Sequence, residues 1–171
     1  MDIQRFWSGT PVLAGRWTLK EAIQGKPIRH PTHSLFVHFP SALLPVAFIF
    51  DVASRIHADE TLTRAAFYNI AVGLAMAIGA AVTGLVDYLP MIGGSRKKTL
   101  GTYHLLSQAP AMVLFTASLV LQGTDFNADR TGLVPSLLAG LGTVGIMIGN
   151  YFGGELVYRQ GMRVSVDPQQ S

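Results

Sequence analysis

Four long apolar stretches, Leu35 to Ala53, Ala65 to Leu89, Tyr103 to Leu121 and Leu133 to Phe152, leave this chain few ways to fold. A bilayer core about 30 Å thick takes roughly 20 helical residues to cross, and each stretch is long enough. Inside lipid every backbone N–H and C=O must be satisfied within the segment, so such stretches become helices. The fourth is the cleanest, with no Asp, Glu, Lys or Arg from Thr131 to Gly154. The first carries His38, Pro40, Pro45 and Asp51. Pro40 suits a first helical turn, whereas Pro45 is expected to kink the span and free a carbonyl for Ser41 or a neighbouring helix to satisfy. The expected fold is an all-α integral membrane protein, with four transmembrane helices in an antiparallel bundle (residues 35–159). An N-terminal arm (1–34) precedes the bundle and a tail (160–171) follows it.

Only 13% of the residues are charged, against about 25% in soluble domains. The net charge of +3 does not signal nucleic acid, because the basic residues form no single stripe and sit at the ends of the apolar runs. Arg5, Arg16, Lys20, Lys26, Arg29, Arg96, Lys97, Lys98, Arg159 and Arg163 fall on one side of the bundle, and only Arg55, Arg64 and Arg130 on the other. The positive-inside bias therefore predicts both termini in the cytoplasm of a multi-pass protein of the cytoplasmic (inner) membrane. Met1 to Ser34 is polar and too long for the charged start of a secretory signal, so the first span is expected to be retained. Within the arm, Thr18 and Glu21 have capping-box spacing, and Gly25 with Pro27 would stop the helix they open. A short interfacial helix is expected there, with Trp7 and Trp17 at headgroup level. Cysteine is absent, which excludes disulfides, thiolate metal ligands and cysteine-ligated iron–sulfur clusters.

Lipid tails are as apolar as leucine, so membrane helices associate through small residues and polar contacts. Ala75, Gly79 and Thr83 recur every fourth residue in the second span, and Gly145, Gly149 and Gly153 in the fourth. These are packing faces, expected to serve the bundle itself. No internal repeat stands out.

An even number of spans brings the starts of spans one and three to the same membrane side as the ends of spans two and four. His33, His38, Asp87, His104 and Glu155 therefore gather at the cytoplasmic end. Ionisable groups at such depths face the bundle interior or water and find partners there. Three readings stay open. The five residues form a satisfied polar network with Arg159 and Arg96 as counterions; or His38 and His104 are axial ligands of a b-type haem; or the cluster holds a divalent metal through imidazole and carboxylate. Asp51 and Arg55, four residues apart, are expected to form an exposed ion pair at the opposite end. His57 is expected to be solvated, and the His30–His33 spacing reads as loop. Asn69, Gln108 and Asn150 are expected to hydrogen-bond between helices. The chain has no nucleophile elbow, phosphate-binding loop, dinucleotide fingerprint or zinc-protease motif.

Several of these residues sit in a recognisable pattern: His30-Pro31-Thr32-His33, then Val37-His38-Phe39-Pro40, Gly84 to Asp87, His104, and Gly153-Gly154-Glu155-Leu156-Val157-Tyr158-Arg159-Gln160-Gly161. From about Pro27 to Val164 the chain resembles a bacterial family of predicted four-span membrane proteins. Gln108 stands where the family often has asparagine, and Gln160 where it usually has histidine. Some relatives are joined to Rieske iron–sulfur domains, which implies a setting near electron transfer.

The functional expectation is a non-enzymatic membrane subunit of a larger respiratory or photosynthetic electron-transfer complex, whose partners are the bilayer and other membrane subunits. A haem- or metal-binding redox protein is the alternative. A metal-assisted membrane hydrolase is the third reading.

Overall fold

The computed structural model describes residues 7, 9, 11–13 and 15–164. Arg5 and the tail from residue 165 lie outside the described residues. Two short antiparallel strands, β1 (Pro11–Leu13) and β2 (Trp17–Thr18), lead into helix α1 (Leu19–Ile23). A 3-10 turn (Lys26–Ile28) follows, and then four long helices: α2 (Thr32–His57), α3 (Glu60–Tyr88), α4 (Arg96–Gly123) and α5 (Leu133–Gly154), the last continued by a π-helical turn (Glu155–Arg159). All four are long and apolar enough to cross a membrane. The strand pair was not legible in the sequence; the four spans and α1 were.

In the arm, Thr18 Oγ1 accepts from the Glu21 N–H and the Glu21 carboxylate accepts from the Thr18 N–H, which completes the capping box. Gly25 ends the segment at φ 81°, and a Cβ there would lie 1.9 Å from the His30 carbonyl, so the turn demands glycine.

The first span starts earlier than its apolar stretch. Pro31 takes the N-cap position with extended backbone, and Thr32 opens the helix while its hydroxyl donates to the Ile23 carbonyl. Pro40 and Pro45 are therefore both interior, and Pro40 does not occupy a first turn. Ser41 is not recruited to a freed carbonyl; its hydroxyl donates to Asn150 Oδ1 on α5 at 3.3 Å. Asn150 also accepts from Gln108 Nε2 of α4 at 3.1 Å, so both amides bridge helices as expected. Asn69 does not: its amide bonds the Ala65 carbonyl one turn back in its own helix.

α2 packs chiefly against α3, and α4 chiefly against α5, so the bundle is two hairpins side by side. Each hairpin closes on glycine notches. A Cβ at Gly73 would meet Leu44 at 2.7 Å, and one at Gly142 would meet Phe115 at the same distance. Leu44 and Phe115 are fully buried at the centre of the core with Ile70, Ala111 and Ile146. Gly79 lies against Phe36, and Gly145 and Gly149 against Ala111 and Gln108, so the small-residue faces serve the bundle.

These notches expose a repeat that the sequence conceals. His33, Leu44 and Asp51 of α2 correspond to His104, Phe115 and Gln122 of α4, a shift of 71 residues. Gly73, Ala80 and Gly84 of α3 correspond to Gly142, Gly149 and Gly153 of α5, a shift of 69 by subtraction. Equivalent residues make equivalent contacts: Leu44 on Gly73 and Phe115 on Gly142, His33 on Gly84 and His104 on Gly153. His33 also meets His104 directly, and Asp51 meets Gln122. Residues touch their own equivalents only beside a twofold axis. That axis therefore runs along the bundle between α2 and α4, parallel to the helices.

Asp51 departs most from expectation. It is fully buried, not exposed, and Arg55 is not its partner. Its carboxylate accepts from Thr131 Oγ1 at 2.9 Å and from Gln122 Nε2 at 3.2 Å. Arg55 instead donates to the Thr131 carbonyl. The donors come from α4 and from the loop before α5, which four-residue spacing within α2 cannot reveal. His57 is exposed, as expected.

Two outcomes follow. Gly142→Ala forces a methyl into the fully buried Phe115 ring and should destabilise the bundle by about 1–3 kcal/mol, whereas Gly93→Ala, with open space at its Cβ, should stay within about 0.5 kcal/mol. Denaturation midpoints in detergent measure both. In the arm, the Lys26 ammonium at 2.6 Å, helped by the Thr18 N–H, holds the Glu21 carboxyl at about 2, below its ordinary 4.5. A depressed folded value means the cap's contribution is complete above about 4.5 and is lost as pH falls toward about 2. The carboxyl carbon shift of Glu21 should titrate near the lower value, and Lys26→Ala should move it upward.

Candidate functional site

Four helices fix the positions of two imidazoles near the arm end of the axis. His33 stands in the first turn of α2, where Pro31 sets the helix start, and its ring lies over Gly84 of α3. His104 of α4 lies over Gly153 of α5 in the same way. His33 Nδ1 is 2.9 Å from the Ala80 carbonyl, and His104 Nδ1 is 2.7 Å from the Gly149 carbonyl. A carbonyl only accepts, so both rings carry the proton on Nδ1. A ring held through Nδ1–H in this way turns Nε2 to its free side, the second-shell arrangement that orients metal-ligating histidines. Thr83 Oγ1 stands a further 3.4 Å from His33 Nδ1 while donating to the Gly79 carbonyl.

The two rings lie side by side with centroids 6.3 Å apart and planes nearly perpendicular, at 88°.

Of the five expected residues, His38 is the one the structure separates. It follows His33 by five residues, which turns it about 140° around the helix, and it is exposed on the outer face of α2. The neighbouring pair is His33 with His104, not His38 with His104. A signal for this was present: His33 repeats as His104 at the spacing that takes Asp51 to Gln122. His38 has no such counterpart, since position 109 is alanine.

Asp87 and Glu155 are positioned by different contacts. Asp87, 8% exposed, lies one turn beyond Thr83. It accepts from Gln24 Nε2 of the arm at 3.1 Å and from Arg163 of the tail at 2.5 Å. Gly161 and Arg163 both hold left-handed backbone, which turns the tail back so that Arg163 reaches it. Glu155 pairs with Arg159 at 3.2 Å in the π-helical turn. Arg159 is thus a counterion as expected, whereas Arg96 joins no ion pair among the described residues, and the partner of Asp87 is Arg163. Among the described residues no three His, Asp or Glu side chains come together as a metal-holding group. The five-residue metal cluster resolves into an imidazole pair on the axis, a carboxylate that clasps arm to tail, a local ion pair and an exposed histidine.

The fold and this site define a four-span membrane bundle built from two alike hairpins. The chain belongs to the family of predicted membrane proteins DUF2231, whose model matches residues 29–166. No curated protein and no solved structure matches it.

Removing Asp87 strands a buried amide and an arginine together, and pairs of this kind cost on the order of 3–5 kcal/mol to break. Asp87→Ala should release arm and tail from the bundle. Limited trypsin digestion should then cut after Lys20, Arg29 and Arg163 markedly faster than in the unaltered protein, and equal rates would show that the clasp does not hold these segments.

Proposed function

We propose that this protein is an electron-transfer component of the bacterial inner membrane that holds a b-type haem between His33 and His104. The observation that carries the reading is the pair of neighbouring imidazoles, with centroids 6.3 Å apart and each Nδ1 bound to a backbone carbonyl. Two protein ligands are too few for the structural or catalytic zinc sites of proteins, which take three or four. Two imidazoles, His33 and His104, would be enough to hold a b-type haem. The haem, when bound, supplies one-electron chemistry. The chain's own part is to set both tautomers, to fix ring orientation through Ala80 and Gly149, and to keep the site inside the bundle.

The finer parts of the reading rest on other support. Ten basic residues on the arm-and-tail side against three on the other favour cytoplasmic termini. The Rieske setting implied by the resemblance favours work within a larger electron-transfer assembly, with other membrane subunits as partners. A hydrolytic metal centre would need a third protein ligand and an open position, and no third His, Asp or Glu joins the pair among the described residues.

Protein expressed in haem-sufficient cells and purified in mild detergent should show a Soret band at one haem per chain. His33→Ala and His104→Ala should each abolish the six-coordinate spectrum, while His38→Ala should keep it. A colourless protein, or loss of haem only in His38→Ala, would sink the proposal. Migration of the chain alone, under extraction that keeps other complexes whole, would remove the assembly and leave the haem.

A further inference from the structure

The arm end of the bundle carries charge that the chain itself does not neutralise. Its described carboxylates are each matched by one base: Glu21 by Lys26, Asp87 by Arg163 and Glu155 by Arg159. Arg16, Lys20, Arg29, Arg96, Lys97 and Lys98 lie at the same end, and none of them has a carboxylate partner among the described residues. Lys98 donates to the Tyr88 carbonyl and lies over the Tyr88 ring, and Arg16 lies over Trp17, contacts that leave both charges in place. In the first turn of α4 three of these bases stand together without an acidic residue, where the helix end already carries partial positive charge. At the opposite end the balance is reversed, since Asp51, Asp59, Glu60, Asp125 and Asp129 outnumber Arg55, Arg64 and Arg130.

The depth of this charge follows from the helices. α3 has 29 residues and at 1.5 Å per residue is about 43 Å long, which matches a bilayer together with its headgroups. Asp87 and Tyr88 close that helix, and Gln24 of the arm is bound to Asp87. Thr32, the first residue of α2, holds the Ile23 carbonyl. The arm is therefore held beside the ends of the spans, in the headgroup layer and not in the water beyond it. Exposed apolar side chains are interleaved with the bases: Ile28 precedes Arg29, and Leu89 and Ile92 lie in the connection that leads to Arg96. Bases and apolar groups mixed at this depth fit an anionic lipid surface, where the first meet phosphate and the second the top of the acyl chains. A water-soluble acidic partner would have to displace that layer to reach them.

We propose that the arm end docks on anionic phospholipid headgroups of its own leaflet, with Arg16, Lys20 and Arg29 of the arm and Arg96 and Lys97 of α4 taking lipid phosphates. Anionic lipid is then enriched around the arm over the zwitterionic lipid of the same bilayer. The inference rests on the charge and depth of this end and not on haem.

The sequence supplies a probe, because both of its tryptophans, Trp7 and Trp17, lie in the arm. In Trp7→Phe, Trp17 alone reports. Full-length Trp7→Phe protein is placed in nanodiscs of phosphatidylcholine and phosphatidylglycerol at one fixed ratio. Bromine, a short-range quencher, is carried at the top of the acyl chains of one lipid or of the other. Only the brominated species differs, so the ratio of the two quenching extents, scaled to equal mole fraction, reads which lipid borders Trp17 and cancels quenching from within the protein. Brominated phosphatidylglycerol should quench at least about threefold more per molecule, and high salt should bring the ratio toward one. Lys20→Gln with Arg29→Gln should also bring it toward one; both positions are partly or fully exposed, and the Asp87 clasp is left intact. Inorganic phosphate added at constant ionic strength should leave the ratio unchanged, because the ligand is lipid. A ratio near one at low salt in the Trp7→Phe protein overturns the proposal and assigns the charge to a partner in water. So does a ratio that survives the loss of Lys20 and Arg29, and so does its collapse on adding phosphate.

Discussion

Close approach of helices at glycine is the constraint from which the rest of this bundle follows. In lipid no hydrophobic gain draws one apolar helix to another, so contact area and polar pairing must do it. A ring fits at Gly84 or Gly153 because no side chain stands there, and the same approach carries the Nδ1 of each histidine to a carbonyl one turn earlier in the facing helix. Packing and tautomer are one event: the notch admits the ring, the carbonyl accepts from Nδ1–H, and Nε2 is turned to the free side. Leu44 over Gly73 and Phe115 over Gly142 repeat the arrangement with apolar side chains three turns further along.

The twofold relation explains why the two ends of the axis differ in chemistry. Identical groups facing each other on an axis must tolerate their own kind. Imidazoles can. Two carboxylates could not, since like charges in a poorly hydrated place repel strongly. At the far end the pseudo-symmetry is accordingly broken: Asp51 accepts and Gln122 donates. The break has a cost, because an amide that turns its nitrogen inward presents an oxygen outward, and that oxygen lacks a partner among the described residues. Where symmetry holds, two like imidazoles meet; where it fails, a carboxylate and an amide meet as acceptor and donor.

One carboxylate ties both the arm and the tail to the bundle. Asp87 accepts from Gln24 before the first span and Arg163 after the last, segments that share no other contact of this kind among the described residues. Its equivalent in the second hairpin is Leu156, so this clasp also departs from the repeat and gives the arm-and-tail end its polarity.

Four apolar stretches of spanning length determined the class, the number of helices and the antiparallel order, because backbone desolvation in lipid allows no other solution. Spacing within one segment also disclosed the Thr18–Glu21 cap and the glycine faces, since both are local in the chain. Which histidine meets which was decided only in three dimensions. His33 and His38 are equally eligible by composition and topology, and their separation depends on where α2 starts and how it rotates against Gly84. Asp51 beside Arg55 satisfied a rule for exposed helical pairs, yet its partners, Gln122 and Thr131, lie 71 and 80 residues away. Segment hydrophobicity acts within one stretch of chain and can be read there. Pairing between stretches depends on the rotation and depth of each helix, which side-chain packing sets only once all four are in place.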